Sequence, residues 1–244
     1  MCGRFTLKTP VADWLADLFP NWNLDPVSSV ENIPPALTQP RFNIAPSQQI
    51  LVVRTKDDGE PIIDSLRWGL VPNWADSLAI GYNMINARSE SIAEKPSFRP
   101  SLINRRCVVL ADGYYEWKKL SPKIKEPYWI HTAGERVFAM AGLWAENRKI
   151  KDPLSKNHSI SSATIITTES SADVVSVHDR MPALMLNAAQ IAAWLDTSLN
   201  KPDNIDRLRE QLRPCSTGVL QLRRVSNRVN SPAKEEADVL DPVE

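Results

Sequence analysis

Residues 106–118 read RCVVLADGYYEWK. From Arg106 to Asp112 the run is short, apolar and closed by turn residues, which predicts a β-strand. Directly after it, Asp112-Gly113-Tyr114-Tyr115-Glu116-Trp117-Lys118 sets a carboxylate between aromatic rings. The same strand signature recurs at Gln49–Arg54, Ile62–Trp68, Tyr128–His131, Arg136–Leu143 and Ala163–Thr168, with a late strand at Val219–Val225. Helical signals are fewer. Thr9-Pro10 reads as an N-cap followed by proline at the first helical position, and Val11, Trp14, Leu15 and Leu18 then recur at helical spacing. Asn187 caps a predicted helix through Leu195, and Asp203–Leu212 is a further amphipathic helix. Phe19–Pro40 carries five prolines and reads as a long loop. Strands do not alternate regularly with helices, which speaks against a doubly wound sheet. The expectation is one β-rich α+β domain over residues 1–230 with peripheral helices, followed by a polar, acidic and only partly ordered tail over 231–244.

Composition narrows the class of function. The 244 residues are 43% hydrophobic, enough for a sizeable core and too apolar for a disordered chain. Lys+Arg and Asp+Glu both number 29, a formal net charge of zero, which excludes a histone-like polycation but not a locally basic groove. Cys2, Cys107 and Cys215 are odd in number and far apart, with no CxxC pair, so neither a disulfide framework nor structural zinc is expected. There is no signal peptide and no apolar run of about 18 residues, so the chain reads as soluble and intracellular, away from membranes. Nucleotide-binding glycine loops, GxSxG and HExxH are absent, which leaves nucleotide-cofactor chemistry and zinc hydrolysis without support.

Several residues carry chemistry by type and position. Removal of Met1 would leave Cys2 as the first residue, with an amine and a thiol in 1,2 relation. The unperturbed α-amine and thiol titrate near 7.7–8.0 and about 8.5, so both are partly nucleophilic at neutral pH. Such a pair reacts with aldehydes, first to an imine and then to a five-membered thiazolidine; the alternative is a frayed terminus that carries cysteine by chance. Glu116, between Tyr115 and Trp117, is either a solvated carboxylate or one whose pKa is raised by desolvation into the range of a general acid. His178, beside Asp179 and Arg180, looks like part of a polar site, whereas His131 and His158 look incidental. Asn86 can satisfy buried backbone groups. Trp68, Trp74 and Trp117 are core residues or stacking surfaces for unpaired bases. Arg4, Arg88 and Arg180 each lie within two residues of a candidate and suit phosphate contacts, or are ordinary ion-pair partners.

Six segments in order carry a family resemblance: Met1-Cys2-Gly3-Arg4-Phe5, RFNIAP at 41–46, RWGLVP at 67–72, INARSE at 85–90, DGYYEWK at 112–118 and VHDRMP at 177–182. With Val225-Ser226 and Val229-Asn230 near the C-terminus, they resemble the SRAP (SOS response-associated peptidase) family, whose members shield abasic sites in single-stranded DNA. The resemblance implies a barrel-like sheet core and a positively charged groove. It implies that Cys2 is the crosslinking residue, with Asn86, Glu116 and His178 in the active site. It also implies that Arg4, Asn43, Arg88, Thr167 and Arg180 hold DNA or shape the site, and that Trp68 and Trp117 line the groove. The placement on Thr167 rather than Thr168 is open by one residue. No metal and no organic cofactor is expected. The implied partner is single-stranded DNA containing abasic sites, bound by a monomer in the cytoplasm, at the nucleoid of a bacterium or in a eukaryotic nucleus. The implied chemistry is a thiazolidine crosslink, with a peptidase-like removal of Met1 and a lyase-type strand cleavage that ring closure forestalls. Two other readings of the same residues are an amide hydrolase with Cys2 as nucleophile and His178 as base, and a non-catalytic single-strand-binding module.

Overall fold

Every residue of Arg106–Ala111 is buried, and the strand lies between two partners in the larger of two sheets. The structure, a computed structural model, describes residues 2–22, 24–56, 58–151 and 159–243; Met1 and His158 lie outside them. Among the described residues the strands are β1 (Phe5–Leu7), β2 (Arg41–Ile44), β3 (Gln49–Thr55), β4 (Pro61–Trp68), β5 (Asn86–Arg88), β6 (Arg106–Ala111), β7 (Gly113–Lys119), β8 (Lys125–Thr132), β9 (Phe138–Asn147), β10 (Ile160–Glu169), β11 (Arg180–Pro182), β12 (Leu184–Met185) and β13 (Leu220–Arg224). The helices are α1 (Val11–Leu18), α2 (Pro35–Thr38), α3 (Arg99–Asn104), α4 (Ala188–Leu195) and α5 (Ile205–Glu210). No described helix is long and apolar enough to cross a membrane. The fold is α+β, as the sequence leads one to expect.

The larger sheet closes on itself. β4, β3, β6, β9 and β10 pair in that order by antiparallel ladders, and β10 returns to β4 in parallel, Ser162 opposite Arg67 and Ala163 opposite Trp68. Closure removes the free edges of these strands and buries apolar side chains from both sides. The ten-residue β10 is longer than the barrel needs. Its second half carries β5 in parallel, Ile165 opposite Asn86 and Thr167 opposite Arg88, and β11 antiparallel, Glu169 opposite Arg180. One strand end therefore collects two of the motif segments.

The second sheet has the order β13-β8-β7-β1-β2 and is antiparallel throughout. A single residue, Asp112, joins β6 of the barrel to β7 of this sheet. Its buried carboxylate accepts from Thr6 Oγ1 at 2.5 Å, Lys8 N at 2.6 Å, Thr9 N at 2.9 Å and Thr9 Oγ1 at 3.0 Å. A buried carboxylate is tolerated only with such donors, and here they pin β1 against β7. Thr9 is thus spent on Asp112 and does not cap α1, whose N-cap is Pro10 with no side-chain hydrogen bond. Gly113 is required at the corner, since a Cβ there would lie 2.1 Å from Trp129 Nε1.

The remaining segments refine the sequence reading. Asn187 caps α4, its side chain accepting from Gln190 N at 3.0 Å. The helix expected over Asp203–Leu212 is confined to α5, after a 3-10 turn at Pro202–Asn204. The loop read over Phe19–Pro40 contains a 3-10 turn at Ser28–Val30 and α2, with Phe19 and Ile33 buried. After β13 the chain folds back: Val225 bridges to Pro242, and Val225, Val229, Val239 and Leu240 pack on Tyr115 and Trp129 of the second sheet. Residues 231–243 therefore form a strap with an apolar anchor.

Candidate active site

Cys2 precedes β1 and is fully buried. Its thiol donates a weak hydrogen bond to the Arg4 carbonyl at 3.8 Å, and that carbonyl also accepts from Tyr115 N of β7 at 2.9 Å. Asn86, at the head of β5, donates its amide to the Cys2 carbonyl at 2.7 Å. The terminal segment is thus held from both sheets. Burial, and after it the charge of Glu116, pushes the Cys2 thiol far above its usual range, so the thiol is kept protonated.

Glu116 lies on β7 and is 2% exposed. Burial is the main cause that raises its carboxyl from an ordinary 4.5 to about 7. His178 Nε2 is 3.8 Å from Glu116 Oε2. The backbone N–H of Arg180 donates to His178 Nδ1 at 3.0 Å, an acceptor role open only to the neutral ring. Burial lowers the His178 pKa and favours this neutral form; exposed Asp179, 2.9 Å from Nδ1, acts in the opposite direction. Glu116, Trp117, Lys119, Lys125, Val177, His178 and Asp179 line an open cavity of about 420 Å³.

The expected binding residues take two kinds of place. Arg4 donates to Asn43 Oδ1 at 2.8 Å, to Val229 O at 2.6 Å and to Asn230 O at 3.3 Å. Buried Asn43 donates in turn to the carbonyls of Ser231 at 2.9 Å and Lys234 at 2.7 Å. Trp117 Nε1 donates to Asn230 Oδ1 at 2.7 Å. These three side chains lash the segment Val229–Lys234, which leads into the strap, to the second sheet beside Cys2 and Glu116. On the other side, Arg180 grips Glu90 with two bonds of 2.6 and 2.9 Å and donates to the carbonyl of buried Thr167 at 2.6 Å. Arg88, opposite Thr167, is exposed and has no ion pair among the described residues. Trp68 lies in the core, its indole donating to Ile85 O at 2.9 Å and meeting Phe5 edge-on at 5.1 Å.

One residue joins the site without having been singled out for it. Tyr114 is fully buried, with no hydrogen-bond partner for its hydroxyl among the described residues. Burial is the main cause that raises its pKa, with Cys2 and Glu116 next among the causes. The doublet Tyr114-Tyr115 before Glu116 is the sequence signal. Trp74, six residues after Trp68, is 49% exposed and is the open ring of that segment.

A β-barrel whose strand β10 is flanked by segments that bring an asparagine and a histidine toward a buried Cys2 and a glutamate defines a class, and comparison with known proteins agrees with it. The family model for SOS response associated peptidase (SRAP) matches residues 1–232, and the chain belongs to this family. It is 37% identical over 241 residues to the abasic site processing protein YoaM of Bacillus subtilis (strain 168), covering 99% of this chain and 98% of that one. It is 30% identical over 254 residues to the abasic site processing protein HMCES of Pongo abelii, covering 92% of this chain and 66% of that one. A crystal structure of a protein from Bacteroides thetaiotaomicron shares the fold, with a TM-score of 0.78, 24% identity and full coverage of both chains.

Proposed function

We propose that this chain captures abasic sites in single-stranded DNA as a covalent thiazolidine on Cys2. The observation that carries the reading is the convergence of a buried Cys2, held through its carbonyl by Asn86, with a Glu116 carboxyl raised to about 7. Hydrolysis of the Met1–Cys2 peptide bond, the peptidase-like step, frees the amine. The ring-opened abasic sugar presents an aldehyde; the amine adds to C1′, and Glu116 donates the proton with which oxygen leaves as water. The resulting imine invites β-elimination and strand cleavage. Addition of the Cys2 thiol to the imine carbon removes it and leaves an intact strand on the protein. Asn86 lowers the entropic cost by fixing the terminus, and neutral His178 relays protons near the sugar. Exposed Arg88 and Trp74 supply phosphate and stacking contacts. A thiol kept protonated is a poor starting point for attack on an amide, which favours this reading over a Cys2 amide hydrolase.

The test is intact-mass measurement after incubation with an abasic single strand. The expected species is the protein without Met1 plus the whole oligonucleotide, minus one water. Cys2→Ala keeps an amine and loses the thiol, and is expected to give no heat-stable adduct. A heat-stable adduct from that variant, or turnover of an amide without DNA attachment, overturns the proposal.

A further inference from the structure

The hairpin of β7 and β8 carries two successive charged rungs. Lys118 faces Glu126, an opposite-charge pair of the kind that stabilises a ladder. The next rung sets Lys119 directly opposite Lys125. Like charges at that spacing repel, and neither lysine has an ion pair among the described residues; the nearby Glu126 is engaged by Arg224 at 2.8 Å. Both lysines are exposed. Both also line the cavity that Glu116, Trp117 and His178 line. The like-charged rung is therefore the one at the reaction centre, while the rung beside it is complementary.

We propose that Lys119 and Lys125 together form an anion subsite that holds one backbone phosphate of the bound strand next to the abasic nucleotide. This inference rests on the function proposed above. A phosphate oxygen placed between two ammonium groups turns their repulsion into two charge-assisted hydrogen bonds. The contact is blind to sequence and fixes the register of the strand, so that the aldehyde rather than a neighbouring sugar faces Cys2. An arginine in either place would carry a rigid fork; two flexible lysines converge on a single oxygen as point charges.

The experiment uses the full chain, the Lys119→Gln/Lys125→Gln variant, and abasic single strands in which each flanking phosphate in turn is replaced by an uncharged methylphosphonate. In the wild type, one replacement near the abasic site is expected to weaken binding, and in the double variant that same replacement is expected to have no further effect. The slope of log affinity against log salt is expected to fall by about 0.7, the single-strand value for one phosphate contact. Thermal unfolding without DNA is expected to be unchanged or higher in the variant, because a repulsive pair has been removed, so weaker binding cannot be assigned to misfolding. If the wild type binds the strand but the variant keeps its slope and its sensitivity to every replacement, the subsite is wrong and the reading of the active site stands. If the wild type neither binds nor crosslinks the strand, both fall.

Discussion

Glu116→Gln separates the cost of a buried charge from its use. A carboxyl that titrates at about 7 in the folded chain instead of 4.5 binds its proton more tightly folded than unfolded. By linkage, the folded chain is stabilised at low pH, loses stability progressively as pH rises from 4.5 to about 7, and stays at the lower level above it. At about 1.4 kcal/mol for each tenfold change in proton affinity, the loss amounts to about 3 kcal/mol. Glutamine keeps the shape and polarity and never ionises, so its stability should not follow this course. The variant is therefore expected to match the wild type near pH 5 and to exceed it by about 3 kcal/mol near pH 8, or about 6–12 °C in Tm for a chain of this size. Urea unfolding across that range measures the difference directly. Crosslinking should move the other way, slowing by about 10²–10⁴-fold, and the alkaline limb that Glu116 ionisation gives the wild-type rate should vanish. A variant equally destabilised at every pH would show that Glu116 is a satisfied structural carboxylate. A wild-type crosslinking rate at every pH would assign the acid to another group.

His178→Ala should slow crosslinking less than Glu116→Gln does and should retain the alkaline limb, as single-turnover time courses across pH would show. Asn43→Ala removes the donor to the carbonyls of Ser231 and Lys234 and the acceptor for Arg4; a loss of about 1–3 kcal/mol in urea unfolding is expected, with earlier proteolysis of the strap after Ser231. Gly113→Ala drives a methyl group into the Trp129 indole and should cost about 1–3 kcal/mol or more, read as a fall in Tm with a changed tryptophan fluorescence.

The main barrel strands were legible one by one because they are covered on both sides, whereas their closure into a barrel was implied by the family resemblance. β3, β6 and the later part of β10 are apolar runs, and burial on both faces is what makes such runs continuous. β1, β2 and β5 escaped for the opposite reason. They are three or four residues long, and β2 and β5 place Arg41, Asn43, Asn86 and Arg88 where a strand pattern asks for apolar residues. Their conformation comes from ladders with neighbours far along the chain. The strap escaped because its anchor, Val239-Leu240, is a short apolar patch in an acidic stretch, and only contact with Tyr115 and Trp129 makes it core. At the site, the motifs singled out Cys2, Asn86, Glu116 and His178, which the fold brings to one place, but not the contacts among them. Trp68 and Trp74 show the limit most clearly. Composition cannot say which of two tryptophans in one segment is core; the Ile85 carbonyl and the Phe5 ring decide it.

The same burial fixes the order of steps in the proposed reaction. The thiol starts protonated, while an unperturbed α-amine, titrating near 7.7–8.0, is partly free at neutral pH, so the amine attacks first. In expelling water, Glu116 gives up its proton and is left as a carboxylate in a buried place that disfavours charge. The iminium formed in the same step is the cation that stabilises it. The thiol proton then passes to Glu116, the sulfur adds to the iminium carbon, and both charges disappear together. Glu116 ends as it began, protonated and ready to run the sequence in reverse. A carboxyl with an ordinary pKa would fail in the first step for want of a proton at neutral pH. A fully exposed one would fail in the second, because solvation would stabilise the carboxylate and remove its drive to take the proton from sulfur. Closing the ring thus depends on the same desolvation that makes Glu116 expensive to fold.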